Sequence, residues 1–388
     1  MKKHRILYLS SWHVFDGGHE NVKIPFIFEQ IGLLSSHVEA IYIELQLESL
    51  FEWVKRFSDG NLIVKQTIPV GEENWASSFR VFLPRFPTRI TRNALWQDYY
   101  LAGILLGKMI YRKMGGFDLV HIHTILPLGA FGMGLKKSTG VNFIIQEHSG
   151  PFNMHLSSKT QEKAVDKISY NALEMLPVSN SLLETMKRFC HDSARYCVAP
   201  NWVRTDIFRP RQDMANQDNI IKIVTVSSRQ KVKRLWLMFE VINALNKADH
   251  LVKLDVYGIP SDSDQTVAND LIDFKGYSNR EKLSKVFKNY DIYLCTSEVE
   301  TFGLAPVEAI CSGVPVVSTD CGGVNEYIDE DNGVVVSDNI DDICNAIVKI
   351  KGKRLGIEQW KKISMSYGKE AFLNFFLTKY ETYKTNSL

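Results

Sequence analysis

The stretch Asp291–Gly323, DIYLCTSEVETFGLAPVEAICSGVPVVSTDCGG, decides the fold. Its apolar run Ile292–Cys295 is short, free of Gly and Pro and followed by polar residues, which suits a strand buried on both faces of a parallel sheet. Pro306 reads as the first residue of a helix, because Pro is favoured where its missing N–H has no intrahelical acceptor. That start places Glu308 in the first turn, with Gly313 closing the helix and Pro315 leading into the next strand. Strand, loop, helix and strand in this order predict that Glu300-Thr301-Phe302-Gly303-Leu304 presents backbone N–H groups and the positive end of a helix dipole. It does so at the carboxyl end of a parallel sheet. Phosphate suits such a place.

Glu300 and Glu308 frame this loop, with seven residues between them. Ionised carboxylates only accept hydrogen bonds, so the pair suits hydroxyls of a sugar and a ribose, while the N–H groups between them suit phosphates. A lone glutamate here would read as a dipole-offsetting or solvated residue. The pair, the Phe-Gly between and the Gly322-Gly323 turn beyond favour a ligand site.

Glu300-Thr-Phe-Gly-Leu-Ala-Pro-Val-Glu308-Ala, Ser312-Gly313-Val-Pro315-Val-Val and Gly322-Gly323-x-x-Glu326 resemble the signature of family 4 glycosyltransferases. The resemblance is strong over residues 200–335 and weak over 1–120. It implies an α/β chain of the GT-B fold, two Rossmann-like domains of parallel sheet flanked by helices and facing across a cleft. It also implies retaining transfer of a sugar from a nucleotide-diphosphate donor, a UDP-sugar ahead of a GDP-sugar. The acceptor is expected to be a glycan or lipid-linked, in cell-surface polysaccharide or glycolipid synthesis. In this family picture Glu300 holds donor-sugar hydroxyls, the backbone at Phe302, Gly303 and Leu304 holds sugar and diphosphate, and Glu308 holds the ribose. The acceptor-side domain is expected at 1–203, rejoined by a C-terminal helix at about 367–388, and the donor domain at 204–366.

At 388 residues, 45% apolar and 23% charged, the chain is long enough for two ordinary domains, and its formal charge is only +2. Six cysteines without a CxxC pair point to a reducing compartment. No apolar run approaches the ~18 residues of a membrane span, and the start is too short in apolar residues for a signal peptide. The expected location is cytoplasmic, or peripheral on the inner face of the membrane.

Along the chain, Arg5–Ser10 forms a first strand, followed by a loop with Trp12, His13, Gly17 and Gly18 and an amphipathic stretch Pro25–Leu34. By resemblance, Gly17 and Gly18 lie near the diphosphate or the acceptor, although Ile24 stands where one branch of the family has Gly. Strands are expected at 38–43 and 62–66. Residues 80–113 carry Arg80, Arg85, Arg89, Arg92, Lys108, Arg112 and Lys113 against the single acid Asp98, interleaved with Phe82, Phe86, Trp96, Tyr99, Tyr100 and Tyr111. That pattern reads equally as a surface for anionic lipid headgroups or as an ordinary helix with core aromatics and solvated arginines. No nucleic-acid recognition module accompanies it.

Two buried strands end on His123 and His148. The resemblance gives His148 the approach to the transferred sugar and leaves His123 structural. Ile220–Ser227 opens a second Rossmann-like unit, and Arg229-Gln-Lys231-Val-Lys233-Arg234 before the helix Leu235–Lys247 reads as a second diphosphate loop. By resemblance Lys233 grips the phosphates, with Arg229 joining it and Lys231 as competitor, since Ser228 occupies the family's usual arginine position. Gly276 and Tyr277 flank the base. The catalytic assignments are therefore His148, Glu300 and Lys233. No cofactor and no metal are expected, and Asp262-Ser-Asp264 reads as a solvated loop. The absence of GxGxxG after a first strand argues against a dinucleotide oxidoreductase. Two rivals remain: a sugar-nucleotide 2-epimerase of the same architecture and a non-catalytic sugar-nucleotide binding protein.

Overall fold

A computed structural model describes residues 3–10, 26–66, 77–85, 95–210, 219–260 and 270–385. Gly17, Gly18, Arg89, Arg92, Asp262 and Asp264 lie outside the described residues. The chain divides into two α/β units, Met1–Ala199 with Leu373–Leu388, and Pro200–Phe372.

The first unit contains β1 (Arg5–Ser10), α1 (Phe26–Ser35), β2 (Glu39–Ser49), α2 (Leu50–Ser58), β3 (Ile63–Gln66), β4 (Ser77–Arg85), α3 (Leu95–Lys113), β5 (Leu119–His123), α4 (Leu128–Thr139), β6 (Phe143–Glu147), α5 (Lys159–Asn171), β7 (Glu174–Pro177) and α6 (Asn180–Met186). The sheet order is β3-β4-β2-β1-β5-β6-β7. Only the edge strand β3 is antiparallel. Strand order reverses between β1 and β5, and at such a switch point the carboxyl ends of the strands leave a crevice open. β5 and β6 are buried along their whole length and β1 from Ile6 onward, as expected where helices cover both faces of a parallel sheet.

The second unit contains β8 (Ile221–Val226), α7 (Leu235–Lys247), β9 (Val252–Tyr257), β10 (Ile272–Gly276), α8 (Arg280–Val286), β11 (Ile292–Cys295), α9 (Leu304–Cys311), β12 (Val316–Thr319), β13 (Gly333–Val336), α10 (Ile340–Ile350) and α11 (Ile357–Tyr367). All strands are parallel in the order β10-β9-β8-β11-β12-β13, with the switch point between β8 and β11. α12 (Lys369–Thr385) follows Gly368. From Leu373 onward it packs on the first unit, where Phe376 lies 5.2 Å from the His121 ring and Lys379 pairs with Glu174 at 2.7 Å.

Three expectations shift. The second unit runs from Pro200 to Phe372 against the expected 204–366; Val203 N–H donates to Tyr367 O, and the Trp360 indole donates to Thr205 O and Phe208 O. α9 starts two residues before Pro306, which occupies the third helical position; that position lacks an intrahelical acceptor too, so Pro is tolerated there. Residues 80–113 are not one amphipathic face: Arg80–Arg85 closes β4, and the rest of the described part is α3. Phe82, Tyr99 and Asp98 are buried, Arg80 pairs with Glu44 at 2.9 Å, and Tyr111 packs on Phe117. The core reading holds for Phe82 and Tyr99, while Tyr111 is 36% exposed.

Several exposed apolar side chains of this unit cluster on α2, while Leu105 of α3 is exposed as well. Trp53 donates to Phe82 O at 2.9 Å, and Arg56 lies over the Phe82 ring while donating to Glu48. The side turned away from the unit is apolar, with Phe51 78%, Val54 50% and Phe57 57% exposed.

α3 and α4 touch backbone to backbone. A Cβ at Gly134 would overlap the Tyr100 carbonyl oxygen, and one at Gly103 the Phe131 carbonyl oxygen. We expect Gly134→Ala, although it raises helix propensity, to destabilise the protein by about 1–3 kcal/mol through overpacking. Urea unfolding checks this; an unchanged or higher midpoint would contradict the packing argument.

Candidate functional site

The crevice-forming edge of the first sheet carries a histidine stack. His123 ends β5 and His148 follows β6, and their ring nitrogens Nδ1 and Nε2 meet at 3.0 Å. His121, two residues back on β5, stacks on His123 at 4.5 Å and meets the Tyr380 hydroxyl through Nδ1 at 2.8 Å. Tyr380, on α12, reaches the Tyr8 hydroxyl at 3.1 Å. Burial pushes His121 down to about 3, helped by the His148 charge, and holds His123 well below its ordinary range, so both rings are neutral. Phe26 meets His148 edge-on at 5.2 Å.

Glu147 beneath this stack is a fully buried carboxyl. Its oxygens accept backbone N–H bonds from Ile125, His148 and Ser149 at 2.7, 2.9 and 2.8 Å. Burial raises its pKa and these three donors oppose the rise. It ties the ends of β5 and β6 together and so fixes the backbone that carries His148. His121, His123, Tyr380 and Glu147 were not legible as a group. The alternation that puts His121 and His123 on one face of β5 was the available signal.

In the second unit the loops after β8 and β11 dock on each other. Glu298 N–H donates to Val232 O at 2.7 Å, and Arg234, the left-handed residue before α7, donates to Thr296 O and Ser297 O. Lys233 is thereby set against Glu300 at 2.6 Å, and Ser297 Oγ donates to the same carboxylate oxygen at 2.7 Å. Burial works against the Lys233 ammonium, but the Glu300 charge and hydrogen bond outweigh it and its pKa is raised. Arg229 and Lys231 are exposed on the same loop.

Glu308 is 3% exposed and faces Arg280 Nε of α8 at 3.1 Å, a partner that the sequence reading did not name. Phe302 is buried against Tyr327 and Tyr367, so its ring is core and only its backbone faces the loop. Tyr327 donates to Gly303 O at 2.6 Å, and Gly303 has a φ of +76°. Gly276 is left-handed too, and Tyr277 beside it is 46% exposed. This edge thus gathers Lys233, Glu300 and the first turn of α9, whose N–H groups lack intrahelical acceptors. Among the described residues no group of three or more His, Cys, Asp and Glu side chains is placed to share a metal ion.

Two family profiles match back to back: "Glycosyltransferase Family 4" over residues 69–207 and "Glycosyl transferases group 1" over residues 206–364. A curated relative, the UDP-N-acetylglucosamine--peptide N-acetylglucosaminyltransferase GtfA subunit of Streptococcus agalactiae, is 35% identical over 255 residues, 61% of this chain and 48% of that protein. The chain spans about half the length, or less, of the first curated relatives it matches. Among solved structures, sucrose-phosphate synthase from Thermosynechococcus elongatus superposes with a TM-score of 0.72 at 19% identity, covering 98% of this chain and 99% of that one. HepE of Anabaena, solved with UDP and glucose, gives 0.66 at 15% identity, covering 98% and 100%. The fold is GT-B.

The histidine stack predicts a pH dependence. Between pH 6.5 and about 3 the unfolded chain protonates His121 and His123 while the folded chain does not, so stability falls as pH falls through that window. Each ring contributes up to about 1.4 kcal/mol per pH unit. Glu147, with its raised pKa, acts in the opposite sense but is common to both proteins, so the comparison is with His121→Phe between about pH 7 and pH 5. Urea midpoints of the variant should depend less on pH than those of wild type; equal slopes would show that His121 is charged when folded.

Proposed function

We propose, for a chain that belongs to glycosyltransferase family 4, that it transfers a sugar from a nucleotide-diphosphate donor to a glycan or lipid-linked acceptor, with retention of configuration. The observation that carries this reading is the second unit's carboxyl edge. There a cation, Lys233, a carboxylate, Glu300, and the first-turn N–H groups of α9 lie together at the switch point. A UDP-sugar is the preferred donor, a nucleotide named for the GtfA relative and seen bound in HepE.

In this reading the leaving diphosphate is stabilised by Lys233, by Arg229 and by the backbone at Gly303 and Leu304, so no metal is required for charge neutralisation. Glu300 accepts from donor-sugar hydroxyls while its other bonds, from Lys233 and Ser297, hold it in place. Glu308, oriented by Arg280, accepts from the ribose. Gly276 and Tyr277 flank the base. His148, aimed by His123, approaches the sugar being transferred. Gly17 and Gly18 keep their assignment near the diphosphate or acceptor on sequence grounds alone.

The two glutamates should separate in calorimetry. Glu308→Ala should weaken free nucleoside diphosphate and intact donor alike, while Glu300→Ala should spare the diphosphate and weaken the donor. Each effect is about tenfold or more, as for a lost hydrogen bond to a charged acceptor. Equal losses in both titrations for both variants would defeat the division of roles. Product analysis with donor alone separates transfer from 2-epimerisation, which needs no acceptor.

A second part of the proposal is that the first unit meets an anionic membrane surface through residues 80–113. The support is indirect: α2, packed on β4, turns Leu50, Phe51, Val54 and Phe57 outward beside Lys55, a surface that suits the headgroup boundary. No helix among the described residues is long and apolar enough to cross a membrane. Vesicles of rising anionic-lipid content should sediment the wild type. Binding should fall both in the variant with Arg85, Arg89 and Arg92 changed to Ser and in Phe51→Ser/Phe57→Ser. Sedimentation indifferent to lipid charge and to both changes would leave a soluble acceptor as the better reading.

A further inference from the structure

The helix layer over the first sheet holds a pocket that shares no residue with the histidine edge. Its volume is about 660 Å³, within the ordinary range of small-molecule sites. It lies along α4, between α3 and α5. α4 packs closely on α3 because Gly103, Gly107 and Gly134 remove the side chains that would hold the helices apart. Trp96 and Tyr100 of α3 and Met133 of α4 supply apolar lining, and Lys136, Lys137 and Lys167 supply cations. Among the described residues no Asp or Glu lines it, and the amides of Gln97 and Asn171 add neutral polar groups.

The charges are not used up by the fold. Lys136 is half-buried and donates to Asn171 O at 2.9 Å, which ties it to the end of α5; Lys137 and Lys167 are exposed. Burial, and then the Arg195 charge, lower the Lys136 pKa, so positive charge is crowded here. The Trp96 Nε1 is buried without an acceptor among the described residues.

We propose that this pocket binds an anionic saccharide, a sugar chain bearing phosphate or carboxylate groups. Aromatic side chains receive the C–H faces of sugar rings, amides meet hydroxyls, and lysines meet the acidic groups through charge-assisted hydrogen bonds. A lipid phosphate would use the lysines but leave the Gln97 amide unused; the Asn171 amide already donates to Lys167 O at 2.8 Å. The inference deepens the transferase reading and rests on it only for the saccharide's role: the pocket holds a distal part of an acidic acceptor, away from the reacting end.

The test is equilibrium binding to the full chain by saturation-transfer NMR, with trigalacturonate, maltotriose, inorganic phosphate and dihexanoyl phosphatidic acid as probes. Trigalacturonate should bind at least about tenfold more tightly than maltotriose or phosphate, and lose about tenfold or more in Lys137→Glu/Lys167→Glu and in Tyr100→Ala. Circular dichroism on each variant establishes that it is folded; the two lysines are exposed, so the charge reversal tolerates this check. Three results overturn the proposal: no trigalacturonate binding, equal affinity for maltotriose or phosphate, or binding unmoved by the substitutions. Tighter binding of dihexanoyl phosphatidic acid than of trigalacturonate overturns it in favour of a lipid headgroup site. None of these measurements involves donor or turnover. A failed pocket therefore leaves the donor site standing, and a failed donor site leaves the pocket result standing.

Discussion

The second unit is organised by the close approach of two backbones, the loop Glu300–Gly303 and the turn Gly322–Gly323. Glu300 N–H donates to Cys321 O, and Gly323 N–H donates back to Glu300 O. A Cβ on Gly323 would overlap the Thr301 carbonyl, and one on Gly303 would meet Val324 and the Tyr327 hydroxyl, so neither glycine is replaceable without moving the loop. This interlock fixes where α9 begins, and through Glu300 it fixes where Lys233 rests. The loop after β8 is in turn held by Arg234, whose left-handed backbone turns the chain into α7 while its guanidinium bonds the carbonyls of Thr296 and Ser297. The ligand-facing groups are thus positioned by groups that no ligand would touch.

That division explains what was legible in the sequence. Residues whose type is dictated by backbone geometry, such as Gly303, Gly313 and Pro315 with the strands around them, could be read from order and spacing alone. So could β8 and α7, because strand and helix periods differ plainly there. Pairings across elements could not be read. Arg280 is 28 residues from Glu308, and Tyr380 is 259 from His121, so only the folded chain brings them together. Residues 80–113 failed for a different reason: β4 ends at Arg85 and α3 starts at Leu95, yet basic and aromatic residues run through both and hide the boundary. Exposed apolar side chains cluster instead outside that stretch, on α2, whose inward side is held by an indole hydrogen bond and an arginine over a ring.

The first unit places its chemistry under a different constraint. His121 and His123 are neutral because burial disfavours their charged forms, and the neighbouring rings would repel an added proton. A neutral imidazole both donates and accepts, so the Tyr380 hydroxyl, itself bonded to Tyr8, can fix the hydrogen-bonding sense of His121, and His123 Nδ1 can fix that of His148 Nε2, while His121 and His123 meet by ring stacking alone. Because Tyr380 belongs to α12, the last helix of the chain contributes to the order of His121 in β5. Glu147 adds the backbone half of the same task. Positioning of this kind needs no charge at His123 or His121.

The second unit does the reverse, keeping charges but matching them. Glu300 faces Lys233 and Glu308 faces Arg280, so the two acids that would accept from sugar and ribose already have a cation beside them. Breaking a buried pair by removing one partner costs about 3–5 kcal/mol, much of it from the charge left behind. The pairs therefore orient both carboxylates without a ligand, and a diphosphate arriving at α9 would meet a lysine already drawn to the loop by Glu300. Its negative charge competes with Glu300 for Lys233 rather than recruiting the lysine from solvent. The gain on binding is then the difference between two partners for one ammonium, which makes the first-turn N–H groups of α9, held by the glycine interlock, the larger source of anion affinity.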